Sequence, residues 1–198
     1  MSMHPELLSL SLFMLVTSCS PGPNNIVASY SAFNFGLAKT VPHMFGVIFG
    51  FTTLVIIMNF GFVNIFKKFP VFQEILKYTG SIFLIYLAYK IAFSKVKSDE
   101  TSNNPVKFFE TFFFQFLNPK GVIVAIISVS TYVESGKNFI NYSSWVIGAS
   151  FFFACFSIMF WGLVGKFLRK FATNEKFIKK FNYVMSFLLV SCIATFYL

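Results

Sequence analysis

The fold is decided at Pro21-Gly22-Pro23-Asn24-Asn25, which interrupts an apolar segment over residues 7–35. About 20 apolar residues span the hydrocarbon core of a bilayer, so this segment is long enough for a membrane helix. Each proline removes an amide donor and crowds the preceding turn, and glycine adds backbone freedom. The stretch therefore predicts a break within a membrane helix.

In hydrocarbon such a break needs protein or a wet cavity around its freed backbone groups. A broken helix with polar side chains at membrane depth is typical of a solute site in a transporter. All five residues of the stretch are therefore predicted to bind substrate. A simple proline kink, satisfied by neighbouring helices, is the alternative that this stretch leaves open.

The composition places the chain among integral membrane proteins. Of its 198 residues, 56% are hydrophobic and 12% are charged, and the mean hydropathy is +0.71; soluble domains carry about 25% charged residues. The net charge of +9 comes from lysines clustered between apolar segments, which is the pattern of topology signals rather than of a nucleic-acid site. The expected partner is the lipid bilayer, with no nucleic acid.

Cysteine and histidine are too few for redox or metal chemistry. The three cysteines form no CxxC pair, and there are two histidines, so neither a disulfide framework nor a haem or zinc site is predicted. A membrane thiol oxidoreductase would need paired cysteines. We therefore expect no enzyme, no cofactor and no metal.

The hydrophobic pattern predicts six membrane helices in a single transmembrane domain, residues 1–198. The apolar segments lie at about 7–35, 40–66, 71–93, 107–133, 139–165 and 177–198. Lysine and arginine concentrate in the first, third and fifth separators, and loops rich in these residues stay cytoplasmic. The sequence thus predicts a multi-pass protein with both termini outside the cytoplasm.

The two halves of the chain resemble each other. The proline break at Pro21 has a counterpart at Pro119, in helix four. Residues 1–97 and 105–198 would each form three helices, joined by a polar cytoplasmic loop. Three crossings per half force opposite orientations, so we predict two inverted repeats with broken helices one and four, the arrangement that surrounds a central site in transporters.

Asn118-Pro119-Lys120 is the predicted second half of that site. Asparagine and proline are favoured where a helix starts, and a helix start inside the membrane presents free amides and a positive dipole to a carboxylate. Lys120 would add a full charge, and Gln115 is a further predicted lining residue. The sequence leaves open an ion pair between Lys120 and Glu110, or a lysine stem that reaches the interface.

Three further residues have predicted roles. Glu110 is a candidate for proton coupling, with a loop-facing acid near Lys107 as the alternative. Gly46 and Gly50 in helix two permit close helix packing. An exposed face at these glycines would also suit a homodimer.

These motifs together resemble the LysE/RhtB family of bacterial amino-acid exporters. The resemblance covers the whole chain and rests on these stretches: Pro21-Gly22-Pro23-Asn24, residues 36–50, the pattern from Lys77 to Leu87, and Phe108 through Asn118-Pro119-Lys120. It implies an inner-membrane exporter of amino acids or close derivatives, driven by the proton gradient. The chain departs from the family pattern at Phe51, where members often carry an acid, and at Met185 and Ser191, which replace glycines of helix six.

The leading hypothesis is a secondary transporter that exports amino acids by alternating access around a site at the membrane midplane. The substrate carboxylate would contact Lys120 and the amides after Pro23 and Pro119. A metal-ion exporter is the first alternative, although histidine and intramembrane acids are scarce. A non-transporting scaffold subunit is the second, and it would tolerate substitution of the predicted site.

Overall fold

A computed structural model describes residues 6–94, 105–134 and 136–197. Over these ranges the chain forms α-helices and one π-helical turn, Met58–Phe62, and no strand. This confirms the predicted all-α class. The α-helices are α1 (Leu7–Cys19), α2 (Pro23–Phe35), α3 (Leu37–Ile57), α4 (Val63–Lys68), α5 (Val71–Ala92), α6 (Phe108–Leu117), α7 (Pro119–Tyr132), α8 (Phe139–Arg169) and α9 (Glu175–Ala194).

The first apolar segment is broken where the prolines predict. Helix α1 ends at Cys19, and α2 begins at Pro23, where proline fits because the first helical turn needs no amide donor. Each helix has 13 residues, about 20 Å at 1.5 Å per residue. Neither half alone spans a hydrocarbon core of about 30 Å.

The second segment differs from its predicted bounds of 40–66. Gly36, with φ of 87°, separates α2 from α3, so that α3 begins at Leu37. Regular helix then ends at Ile57, and the chain kinks at Phe60 and Gly61, where φ is 108° at the glycine. A positive φ is incompatible with a right-handed helix, and apolar content alone does not reveal such a kink.

The fourth segment is broken at the predicted place. Helices α6 and α7 meet at Asn118 with a bend of 64°, and Pro119 opens α7. Four further helical stretches are long and apolar enough to cross a membrane: 37–61, 74–92, 139–169 and 175–194. The chain is therefore a multi-pass membrane protein. The total of six crossings and the inverted repeat stay predictions.

Helix α2 lies at the centre of the packing and contacts α8 most extensively. A Cβ atom on Gly165 of α8 would collide with the backbone of Ser29 in α2, so glycine is needed for this close approach. Helix α3 packs on α6 and α8, and α5 packs on α9. Many large apolar side chains point outward, such as Phe109 and Phe152, as expected for a surface in contact with lipid.

Gly46 and Gly50 lie against α6 within the same chain. A Cβ atom on Gly46 would lie 2.6 Å from the Phe108 carbonyl oxygen, and one on Gly50 would lie 2.7 Å from Gln115 Cγ. The prediction that this face is exposed for a homodimer is therefore wrong, because α6 covers it.

Most of the predicted loop between the halves, residues 95–104, lies outside the described residues.

Candidate functional site

The end of α1 leaves backbone carbonyls that side chains from three helices satisfy. Asn25 Nδ2 donates to the carbonyl oxygens of Ser18 at 2.8 Å and Ser20 at 3.0 Å. From α8, Ser157 Oγ donates to the Ser18 carbonyl oxygen at 2.6 Å, and Trp161 Nε1 donates to that of Cys19 at 3.1 Å. The break is thus covered by protein, as a membrane interior requires.

Lys120 supplies the third set of donors at this break. Its Nζ donates to the carbonyl oxygen of Ser20 at 3.1 Å and to Ser20 Oγ at 2.7 Å. A Cβ atom on Gly22 would lie 2.9 Å from Lys120 Nζ, so the glycine makes room for the lysine. No carboxylate among the described residues lies within ion-pair distance of Lys120, and the ion pair with Glu110 does not form.

The starts of α2 and α7 converge on one cavity beside this lysine. Its volume, measured for the centre of a water molecule, is about 70 Å³, which is room for several waters. Its lining contains apolar side chains, such as Val47 and Ile158, as well as polar ones. The lining includes most of the predicted site residues: Gly22, Pro23, Asn24, Asn25, Gln115, Asn118 and Lys120.

Asn118 lines the cavity with an unused acceptor. The residue is 3% exposed, and its Oδ1 has no hydrogen-bond partner in the described parts of the chain. It occupies the predicted position before α7, but its side chain does not cap the helix. Buried polar atoms without partners are rare in folded proteins, so this oxygen is a candidate ligand-binding atom.

Asn24 and Gln115 form a reciprocal amide pair at the cavity wall. Asn24 Nδ2 donates to Gln115 Oε1 at 2.8 Å, and Gln115 Nε2 donates back to Asn24 Oδ1 at 3.2 Å. Gln115 Nε2 also donates to the Thr111 carbonyl oxygen at 2.8 Å. In this conformation the pair joins α2 to α6.

Three predicted residues lie away from the cavity lining. Pro21 is exposed in the break, and Pro119 is buried beneath Gly80 of α5. Glu110 is exposed in the first turn of α6, where its Oε2 accepts a hydrogen bond from the Lys107 amide at 3.0 Å. Since Pro23 and Pro119 are the two helix-opening prolines, the structural counterpart of Pro119 is Pro23 rather than Pro21.

Sequence reasoning missed the residues that support the site from α3 and α8. Ser157 and Trp161 bind the broken end of α1, and His43 bonds to Thr111 and to the Asn24 backbone. Each lies inside a long apolar helix, where Pro42 precedes His43 and Gly162 follows Trp161 without ending the helix. The signal available was polarity at membrane depth, which marks functional or buried positions.

Two broken helices that meet at a polar cavity in a multi-pass membrane protein define a solute transporter. The family model described as LysE type translocator matches residues 15–197. Relatives named cysteine/O-acetylserine efflux protein come from Escherichia coli O1:K1, Escherichia coli K12 and Shigella sonnei Ss046. Each is 30% identical over 194 residues, covering 96% of this chain and 97% of the relative. No solved structure matches the chain.

The chain belongs to the LysE family of translocators. Family membership confirms the predicted resemblance, and with it the prediction of an amino-acid efflux transporter rather than an enzyme.

Proposed function

We propose that this protein exports small amino acids related to cysteine and O-acetylserine across the bacterial inner membrane, by alternating access and in exchange for protons. The observation that carries the proposal is the cavity between the starts of α2 and α7. Its lining includes Lys120 and the Asn118 side chain, whose Oδ1 has no partner among the residues that the structure describes. Exporters of such substrates are the named relatives that align over nearly the whole chain.

The substrate carboxylate would bind between the two helix starts. The first backbone hydrogen bonds of α2 and α7 run from Ile26 to Gly22 and from Val122 to Asn118, both at 3.0 Å. The amides before these bonds have no partner within their own helices, and helix starts favour anions. Lys120 uses two of its three ammonium hydrogens on Ser20, which leaves one for the carboxylate.

The rest of the substrate would occupy the opposite side. Asn118 Oδ1 can accept a hydrogen bond from the substrate ammonium, which would end its unpartnered state. The apolar wall then faces the substrate side chain: Val47, Phe51, Val124, Ala154 and Ile158. The small cavity, of about 70 Å³ for the centre of a water molecule, favours a substrate with a short side chain.

Alternating access would follow from competition for Lys120. Without substrate, the lysine holds the broken end of α1 through Ser20. A bound carboxylate competes with those neutral acceptors and weakens that link, because charge-assisted hydrogen bonds are the stronger ones. Helix α1 would then be free to move relative to α7.

The helix order supports the proposed inverted repeat. Each half contains a broken pair followed by long helices: α1–α2 with α3 and α5, then α6–α7 with α8 and α9. Helix α3 packs on its counterpart α8, and α5 packs on its counterpart α9, which is compatible with a two-fold axis that passes between the members of each pair. The excess of lysine in alternate loops favours a topology with both termini outside the cytoplasm.

Transport from proteoliposomes tests this function. Vesicles preloaded with the common amino acids and O-acetylserine would be followed with and without an imposed pH gradient. We expect selective loss of cysteine and O-acetylserine, faster with the gradient. Loss of lysine and arginine alone, or no loss from protein shown to be folded and inserted, would contradict the proposed substrate class.

A further inference from the structure

His43 of α3 has a buried imidazole that forms hydrogen bonds with residues of both α2 and α6. It is 2% exposed, and its Nε2 lies 3.1 Å from the carbonyl oxygen of Asn24 in α2. Its Nδ1 lies 2.8 Å from Thr111 Oγ1 in α6. Because a carbonyl oxygen only accepts hydrogen bonds, Nε2 must carry a hydrogen in this geometry.

The two bonds belong to a closed ring of four residues. Asn24 pairs with Gln115 through their side-chain amides, and Gln115 Nε2 donates to the Thr111 carbonyl oxygen. Asn24 and Gln115 also line the main cavity. A change at His43 is thus one hydrogen bond away from residues that face the substrate.

The Thr111 hydroxyl can serve both protonation states of His43. With neutral His43, the hydroxyl hydrogen of Thr111 points at Nδ1. Thr111 Oγ1 also lies 3.2 Å from the Lys107 carbonyl oxygen. When a proton binds Nδ1, the hydroxyl hydrogen turns to that carbonyl, and Oγ1 accepts from the new Nδ1–H. No heavy atom needs to move.

Two further cavities share Glu110 as a lining residue, and the smaller one is also lined by His43. Glu110 lines an open outer groove of about 350 Å³ together with Phe83, and it also lines a small inner cavity. That inner cavity, of about 10 Å³, is further lined by His43, Thr111 and Asn24, and it has room for about one water. Glu110 thus lies at the boundary between the outer groove and His43.

The charged groups around His43 come from several helices. Glu110 of α6 lines the same inner cavity, and its Oε2 accepts a hydrogen bond from the Lys107 amide. Lys120 of α7 lies across the Asn24–Gln115 pair, in the main cavity. Lys107 and Lys39 are exposed, the first beside Glu110 and the second one turn before His43 in α3.

From this arrangement we propose that His43 is the proton-binding residue of the transport cycle and that Thr111 is its positioning residue. The inference deepens the proposed function and rests on it. A proton that enters past Glu110 binds His43 Nδ1, and the charge of the imidazolium strengthens its hydrogen bond to the Asn24 carbonyl oxygen, beside the main cavity. This assigns to Glu110 the entry of the proton and to His43 its binding.

The test separates substrate exchange from coupling to protons. In proteoliposomes, exchange of labelled internal for unlabelled external L-cysteine at equal pH measures the site and its movement. Export against a concentration gradient, driven by one pH unit, measures coupling, and one proton per substrate supports about a tenfold gradient. Wild-type protein that performs no exchange contradicts the proposed function, whereas exchange without driven export contradicts the coupling.

His43→Gln keeps a donor for the Asn24 carbonyl but binds no proton at neutral pH. We expect its exchange within about tenfold of wild type, as for one altered neutral hydrogen bond, and its driven export lost. Thr111→Val should reduce driven export in the same way, and Thr111→Ser, which keeps the hydroxyl, should retain it. Driven export at the wild-type level in His43→Gln would overturn the proposal.

A spectroscopic measurement decides independently of how well the variant folds. The chain has two histidines, so protein with ¹⁵N-labelled histidine gives two sets of imidazole signals, each from one Nδ1 and one Nε2. The variant His4→Gln shows which set belongs to His43. We expect His43 to pass from the neutral Nε2–H form to the doubly protonated form as pH falls, at a pH that L-cysteine shifts. A His43 that keeps one protonation state from pH 8 to pH 5, with and without L-cysteine, would overturn the proposal.

Discussion

Two buried asparagines near the cavity have opposite hydrogen-bond states. Asn25 donates two bonds to carbonyls at the end of α1, and its Oδ1 lies 3.3 Å from Ser157 Oγ. Asn118 has an acceptor atom without a partner in the described chain. Folding alone accounts for Asn25. It does not account for Asn118, where a buried unpaired acceptor is unfavourable by about 1–3 kcal/mol.

Asn118→Leu should therefore impair transport and spare stability. The substitution keeps the branched shape and the number of side-chain heavy atoms and removes the unpaired oxygen, so we expect a free energy of unfolding equal to that of wild type or higher. Transport of L-cysteine should fall at least tenfold. Thermal melting in detergent and vesicle efflux are the two measurements, and an intact transport rate would refute the binding role of this residue.

Asn25→Leu is the matched comparison at the same break. Here two donated hydrogen bonds are lost, which should lower the free energy of unfolding by about 1–3 kcal/mol. A melting temperature unchanged from wild type would show that the carbonyls of Ser18 and Ser20 find other donors.

Some residues of this site could be predicted from the sequence next to them, and others could not. Asn118 and Lys120 were predictable because they flank a proline within an apolar segment, where local sequence already predicts a helix start. His43 was not, because its role depends on Thr111, which lies in another helix. Contacts between helices are set by packing, and the sequence around one partner carries no record of the other.

Among the elements, the contact of α3 with α6 positions the polar ring. His43, Gly46 and Gly50 share one face of α3, and the two glycines let Thr111 and Gln115 approach it. The breaks in α1–α2 and α6–α7 were predictable from proline, whose effect is local. The kink at Gly61 was missed because the apolar pattern continues through it.

Gly50→Ala should separate these two helices. Its Cβ atom would lie 2.7 Å from Gln115 Cγ and 2.8 Å from the Phe112 carbonyl oxygen, so we expect a loss of about 1–3 kcal/mol in stability from overpacking. Thermal melting in detergent measures the loss. Reduced transport should accompany it, because Gln115 lines the cavity.

Gly148→Ala is the control within a long helix. A Cβ atom on Gly148 of α8 meets no atom within 4 Å, and alanine favours the helix over glycine by about 1 kcal/mol. This variant should melt at the wild-type temperature or above it. Equal destabilisation of both variants would contradict the close contact assigned to Gly50.

At the scale of the whole molecule, the two halves meet through their long helices and enclose one polar cavity. The sequence predicts the orientation of this assembly from lysine and arginine alone. The same helical fold could be inserted in either orientation across the membrane. The prediction from lysine and arginine therefore concerns how the protein is inserted and not how it folds.

Reporter fusions test that orientation. Alkaline phosphatase is active only outside the cytoplasm, and green fluorescent protein folds well only within it. A phosphatase fused after residue 198 should be active, and one fused within residues 95–104 should be inactive, with the opposite result for the fluorescent reporter. An inactive phosphatase at the C-terminus would reverse the proposed topology.

The central claim is that the cavity between α2 and α7 binds the substrate carboxylate through Lys120. Binding of radiolabelled, reduced L-cysteine to purified protein tests it most directly, with Lys120→Met compared against Lys137→Met, which removes an exposed lysine distant in sequence from the cavity residues. Loss of a charge-assisted contact should weaken binding about 10- to 100-fold in Lys120→Met, and Lys137→Met should bind as wild type does. Equal affinity in all three proteins would contradict the account.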